Sequence, residues 1–346
     1  REIAAPADRV WAMISDLPRM GEWSPENEGG EWLHGATGPA PGATFRGHNR
    51  NGSKAWTMLV TIVDVEPPDS YRGRFAADDP ASIDKYADLV DVAIDELGEQ
   101  GHRPAMMIID SIYDAAGVHT PPPAYQQRVH EKVRAAGGLV VCDEVQSGLT
   151  RLGDHFWGFM DSGVVPDIVT MGKPMGAGHP LAAVVTTPEI AAAFARETDY
   201  FNTFGGSPVS AAAGQAVLDV VEREHLLANV RRSGEHLING LRELAARHAL
   251  IGDVRGKGLF IAVELVRDRL TLEPAAAEAA FIVNRLREEG ILVGTDGYLA
   301  SAQDAGFASN GYGDHSPGGF DLLSVAIIEI VLSAVFVLIV LGTTST

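Results

Sequence analysis

Two stretches decide the fold. The first is Gly138-Leu139-Val140-Val141-Cys142-Asp143-Glu144-Val145-Gln146-Ser147-Gly148. The second is Asp167-Ile168-Val169-Thr170-Met171-Gly172-Lys173-Pro174-Met175-Gly176-Ala177-Gly178-His179-Pro180. In each, a short apolar run ends in a polar residue and then a glycine-bearing turn, the pattern of a buried strand running out at a sheet edge. Asp143 and Lys173 stand at those two exits. Ligands of open α/β sheets collect at the carboxyl ends of strands, so both residues are candidate site residues. Each also has a plain structural reading. An aspartate at a strand end often caps a turn, and a lysine after glycine is often a solvated loop residue.

Outward from this centre, residues 69–297 alternate strand and helix patterns, which predicts an α/β fold with a mainly parallel sheet covered by helices. Strands are expected at Met106–Asp110, Leu139–Asp143, Ile168–Met171, Leu181–Thr186 and Leu259–Leu265. Helices are expected over Pro123–Ala136, Ser210–Glu222, Leu226–Ala249 and Ala275–Glu289, the last opening a smaller domain. Residues 1–68 form a second region with four of the five tryptophans (Trp11, Trp23, Trp32 and Trp56). There Ala7–Asp16 has helical spacing, Gly35–Gly42 reads as a loop and Thr57–Val65 alternates like a strand. Residues 298–346 form a third. Leu322–Gly342 is apolar apart from Glu329 and two serines, a length and composition that predict a single transmembrane helix.

Charge and cysteine content narrow the function classes. The chain of 346 residues carries 46 acidic against 27 basic side chains, a formal charge of −19. Without a basic patch, nucleic acid is excluded as an expected partner. The single cysteine, Cys142, lies in an apolar run and reads as core, with a reducing, cytoplasmic setting for this segment. No metal site is assigned.

In this order and together, Asp143-Glu144-Val145-Gln146-Ser147-Gly148 and Gly172-Lys173 resemble the class III aminotransferases, over residues 69–297. The resemblance implies a fold-type I transferase with pyridoxal 5'-phosphate (PLP) as cofactor. It implies that Asp143 pairs with the pyridine nitrogen, that Lys173 forms the Schiff base and shuttles the proton, and that Gln146 lies beside the ring's phenolic oxygen. Thr203, in Phe201-Asn202-Thr203-Phe204-Gly205-Gly206, matches the threonine that reaches the cofactor phosphate of a neighbouring subunit, which implies a homodimer with shared sites. Its local alternative is a turn or cap residue before the following helix. The expected reaction is amino-group transfer from an amine or amino acid to a keto acid or aldehyde.

The flanks resemble other families. Ile3-Ala4-Ala5-Pro6-Ala7-Asp8-Arg9-Val10-Trp11, with Gly21-Glu22-Trp23, is similar to the START-like and polyketide-cyclase superfamily, which implies a partial α+β helix-grip segment and an apolar-ligand module as an alternative function. Gly306-Phe307-Ala308-Ser309-Asn310-Gly311-Tyr312-Gly313 and the apolar run after it are similar to a bacterial aquaporin, which implies membrane anchoring. No Gly/Ser phosphate loop of the class III kind lies between Arg72 and Ile108, so a truncated site is expected. A chimeric, inactive chain is the further alternative.

Overall fold

The computed structural model describes residues 17–22, 27–38, 42–197, 202 and 205–294. They fall into two compact units, which divide near residue 65.

In the first unit, a 3-10 turn (Leu17–Glu22) precedes three antiparallel strands: β1 (Asn27–Trp32), β2 (Thr44–Asn51) and β3 (Lys54–Thr61), in the order β1-β2-β3. The β2–β3 hairpin closes through Gly52-Ser53 with Asn51 facing Lys54. Gly52 has φ +60°, a backbone state glycine enters without a Cβ penalty. Trp32 and Phe45 stack at 5.0 Å between ring centroids, and Arg46 pairs with Glu31 at 2.8 Å across the strands. The strand expected at Thr57–Val65 therefore starts and ends earlier, because the hairpin turn sets its register. The helix expected at Ala7–Asp16, with Trp11, and Trp23 lie outside the described residues.

In the second unit the elements are α1 (Ser82–Glu99), β4 (Met106–Asp110), α2 (Pro123–Ala135), β5 (Leu139–Asp143), β6 (Ile168–Met171), β7 (Ala183–Thr186), α3 (Pro188–Glu197), α4 (Pro208–Arg223), α5 (Leu226–Arg247), β8 (Ile251–Lys257), β9 (Phe260–Asp268), β10 (Glu273–Pro274) and α6 (Ala276–Glu288). The four-stranded sheet runs β4-β5-β6-β7. Its first two pairings are parallel and the third is antiparallel. The connection over residues 172–182 is too short for a helical crossover, so β7 returns antiparallel. Ile109, Cys142 and Val169 share one sheet face by register, and all are buried. The buried Tyr86, Ala87 and Val90 of α1 and Val129 and Val133 of α2 add to this core, with α2 packed between β5 and α1. The other face is open at its margins, where Met106 and Ile108 are each 59% exposed.

The strand and helix positions expected for this unit agree with the structure to within a few residues. Four elements lie outside those expectations: α1, α3, β8 and the two-residue β10. In α1 the buried residues Tyr86, Ala87, Val90 and Ala93 recur at helical spacing. In β8 the sequence Ile-Gly-Asp-Val-Arg-Gly-Lys has no alternation, and its pairing with β9 is held by half-buried charge. Arg255 reaches Glu264 at 2.8 Å and the Gly117 carbonyl at 2.7 Å. Among the described residues no helix is long and apolar enough to cross a membrane. Leu322–Gly342, the predicted membrane helix, lies outside them.

Candidate active site

Three parallel strands end side by side. Asp110 at the end of β4 is the register partner of Asp143 at the end of β5, and Asp143 is the partner of Thr170 on β6. Lys173 follows Thr170 by three residues and opens a 3-10 turn (Lys173–Gly176). The strand ends thus bring Asp143, on β5, and Lys173, in the turn just beyond β6, to one sheet edge.

The Asp143 carboxylate accepts a hydrogen bond at Oδ1 from the Val145 N–H at 2.9 Å. Its Oδ2 has no protein partner among the described residues. Lys173 is exposed and forms no ion pair among the described residues. Its turn is fixed by backbone: Met175 N–H donates to the Gly172 carbonyl at 2.8 Å, and His179 N–H to the Gly176 carbonyl at 3.0 Å. His179 Nε2 lies 2.9 Å from Ser210 Oγ, which ties the end of the turn to the first turn of α4. Leu181 Cδ2 would stand 2.7 Å from a Cβ on Gly214, so that glycine lets α4 approach closely. Gln146 is half-buried on the loop after β5. Thr203 lies outside the described residues.

Glu144, which sequence reading did not single out, is fully buried, with 0% of its surface exposed. Among the described residues four donors converge on it. Ser111 Oγ donates to Oε1 at 2.6 Å and Phe159 N–H to the same oxygen at 2.8 Å. Ser147 Oγ donates to Oε2 at 2.9 Å and Gly158 N–H at 2.7 Å. Glu144 N–H in turn donates to the Thr170 carbonyl at 2.8 Å. Nothing local in the sequence distinguishes this glutamate from a solvated one, because Ser111, Gly158 and Phe159 come from other segments. A cleft of about 520 Å³ borders Ser111 and Lys257, but neither Asp143 nor Lys173 lines it.

Two neighbouring groups are shifted in pKa. Burial, reinforced by the Asp114 side chain, pushes the Asp110 carboxyl up to about 7, although its oxygens accept from the Ile112 and Asp114 N–H groups. Burial, reinforced by Glu144, pushes the Cys142 thiol up to about 12. The thiolate is the reactive form, so Cys142 belongs to the core as its sequence context indicates. In native protein a thiol reagent such as DTNB is expected to leave Cys142 unmodified near neutral pH and to react fully only in denaturant; a fast native reaction would contradict this burial.

The sequence model of the family described as Aminotransferase class-III matches residues 40–301. This range passes both boundaries expected from sequence and takes in residues 40–68 of the region that the sequence assigns to the START-like segment. The chain is 44% identical over 272 residues to alanine–glyoxylate aminotransferase 2 homolog 2, mitochondrial, of Arabidopsis thaliana, covering 78% of this chain and 54% of that protein. A phospholyase from Arthrobacter, solved in complex with phosphoethanolamine, is 40% identical with a TM-score of 0.63, covering 66% of this chain and 54% of that one. An amine transaminase from an uncultivated Pseudomonas species, solved in its PLP-bound form, is 35% identical with a TM-score of 0.61, covering 66% and 53%. The chain spans about half the length of these relatives. The residues at the sheet edge fit the ring end of such a cofactor, since among the described residues Asp143 keeps a carboxylate oxygen free and Lys173 offers an unpaired amine in the turn after the adjacent strand. The chain belongs to the class III aminotransferases, an α/β family of fold-type I whose cofactor is pyridoxal phosphate.

Proposed function

We propose that the chain carries the catalytic half-site of a class III transaminase that moves an amino group from an amine or amino acid to a keto acid or aldehyde. The observation that carries this reading is the placement of Asp143 at the C-terminal end of β5 and of Lys173 in the turn just beyond the C-terminal end of β6, the adjacent parallel strand. When bound, pyridoxal phosphate supplies an aldehyde that takes up an amine and a ring that delocalises an electron pair from the substrate carbon. Asp143 then holds a proton at the ring nitrogen through its free Oδ2, and its anionic charge favours that protonated form. Lys173 Nζ, reachable and unpaired, would take the proton from the substrate carbon and pass it to the cofactor's aldehyde carbon, and do the reverse with the acceptor. By resemblance to the family, Gln146 would hold the ring oxygen and Thr203 the phosphate bound in a neighbouring subunit, which would make the working unit a homodimer.

The test is absorbance of purified protein with added PLP. A band in the cofactor's visible range that persists through gel filtration and is lost in Lys173→Ala supports the reading; an identical signal in Lys173→Ala overturns it. A second reading, lyase chemistry on a phosphorylated amine, is favoured by the 40% identity to the Arthrobacter phospholyase. Pyruvate formed from alanine and glyoxylate would mark transamination, whereas inorganic phosphate released from phosphoethanolamine would mark elimination.

A further inference from the structure

We propose that Glu144 is a positioning residue whose buried carboxylate sets the direction in which Asp143 presents its free oxygen; this rests on the reading of Asp143 and Lys173 given above. A carboxylate stripped of water is stable only if its lone pairs are met. Among the described residues Glu144 meets that condition without a cation, by two backbone N–H groups and two hydroxyls. The donors come from three places: Ser111 after β4, Ser147 on its own loop, and Gly158 and Phe159 at the start of a 3-10 turn (Gly158–Ser162). One side chain thereby fastens the loop after β5 to the strand end on one side and to the 157–162 segment on the other.

The packing at this junction leaves little room for adjustment. A Cβ on Gly158 would stand 2.8 Å from the Cβ atoms of both Ser111 and Ser147. A Cβ on Gly148 would stand 2.9 Å from the Trp157 ring and 2.7 Å from the Glu144 carbonyl. Asp143 is the residue immediately before Glu144, and it is held on its other side by the β-ladder to Ile109–Asp110 and Thr170. Its backbone direction is therefore set by the ladder up to residue 143 and by the Glu144 clamp from 144 onward. Both oxygens of Glu144 receive a backbone N–H, a donor that cannot turn round. A glutamine here would aim its NH2 at one of those N–H groups whichever way it is flipped. Glu144→Gln must then break part of the clamp while keeping size and shape.

The consequence is electrostatic and lies at Lys173. A positive charge kept on the ring nitrogen by Asp143 disfavours a second proton at Lys173 Nζ in the cofactor-linked state. If Asp143 loses its aim, that restraint weakens and the proton affinity at Lys173 Nζ rises.

The experiment is a pH titration of the Lys173-dependent absorbance in PLP-loaded wild type, Glu144→Gln and Ser111→Ala, with thermal unfolding followed in parallel. An upward move of the titration midpoint by about one pH unit or more in Glu144→Gln, with cofactor retention weakened at least roughly tenfold, supports the proposal. Ser111→Ala removes one donor and leaves the carboxylate in place, so it provides the same readout should Glu144→Gln fail to fold. Its midpoint is expected to move in the same direction by less. Variants that melt earlier but titrate like wild type would overturn the proposal and leave the cofactor reading intact. A wild type without any Lys173-dependent band would overturn the cofactor reading itself, and the positioning role with it.

Discussion

Gly258→Val is expected to lower folding stability by roughly 3–5 kcal/mol, enough to abolish the native state if the domain is of ordinary stability. Gly258 turns the chain from β8 into β9 with φ +57°, a left-handed state in which a β-branched side chain is strained. The space is also taken. A Cβ there would stand 2.5 Å from the Arg151 carbonyl oxygen and 2.5 Å from the Leu152 carbonyl carbon. From the opposite side, a Cβ on Gly234 of α5 would come within 2.1 Å of the Gly258 carbonyl oxygen. Three backbones thus meet with no side chain between them, and the Leu259 N–H to Arg151 carbonyl bond at 3.0 Å locks two of them together. The obstacles are backbone atoms rather than the flexible ends of side chains, so relaxation is costly. Gly240→Ala on the same helix α5 is the control. A Cβ there meets nothing, and the helix is expected to gain up to about 1 kcal/mol. Urea unfolding of the two variants and wild type measures both effects, and a Gly258→Val midpoint within error of wild type would refute the close packing.

What could be read from sequence follows from where each residue's partners lie. The strands β5 and β6 were legible because each is an apolar run closed by an acid or a glycine-lysine turn, signals carried within a few consecutive residues. The sheet edge bearing Asp143 and Lys173 was legible for the same reason. Glu144 was not, since its donors at residues 111, 158 and 159 become neighbours only in the folded chain, and an acid beside an acid reads as solvated. The strand β8 was hidden by its glycines and charges. It is a strand because Arg255 finds Glu264 across the hairpin and the Gly117 carbonyl from a distant loop. The helix α1 is a different case, for its apolar spacing was present in the sequence. The tryptophan-rich composition of residues 1–68 changes sharply near Pro67, close to where the two compact units divide, whereas the family match runs through that point from residue 40. Composition reports a change of surface and core chemistry, which can occur inside one family's chain as well as between two.

Asp110→Asn and His130→Leu are expected to tilt the pH dependence of stability in opposite directions between about pH 4 and pH 7. His130 lies on α2 with 1% of its surface exposed, and neither ring nitrogen has a hydrogen-bond partner among the described residues. Burial, reinforced by Arg134 and opposed by Asp167, pushes its pKa down to about 4 from an ordinary value of 6.5. Between those values the unfolded chain binds the proton and the folded chain does not. Its share of stability is complete above pH 6.5 and is lost as pH falls towards 4. Asp110 works the other way. Its pKa rises from 3.8 to about 7, chiefly through burial and then through the Asp114 side chain. Between those values the folded chain binds the extra proton, so stability from this group is complete below pH 3.8 and is lost as pH rises through 7. Each group can contribute a slope of up to about 1.4 kcal/mol per pH unit, and in wild type the two slopes oppose one another. Removing Asp110 leaves the histidine slope, so Asp110→Asn should gain stability relative to wild type as pH increases, with its largest relative gain near pH 7. Removing His130 leaves the aspartate slope, and His130→Leu should gain most near pH 4. Differences between variant and wild type in urea unfolding at a series of pH values cancel the remaining carboxylates. Parallel profiles for either variant and wild type would mean that the buried group titrates as it does in water, which the burial of His130 and the acidic pair at the end of β4 both argue against.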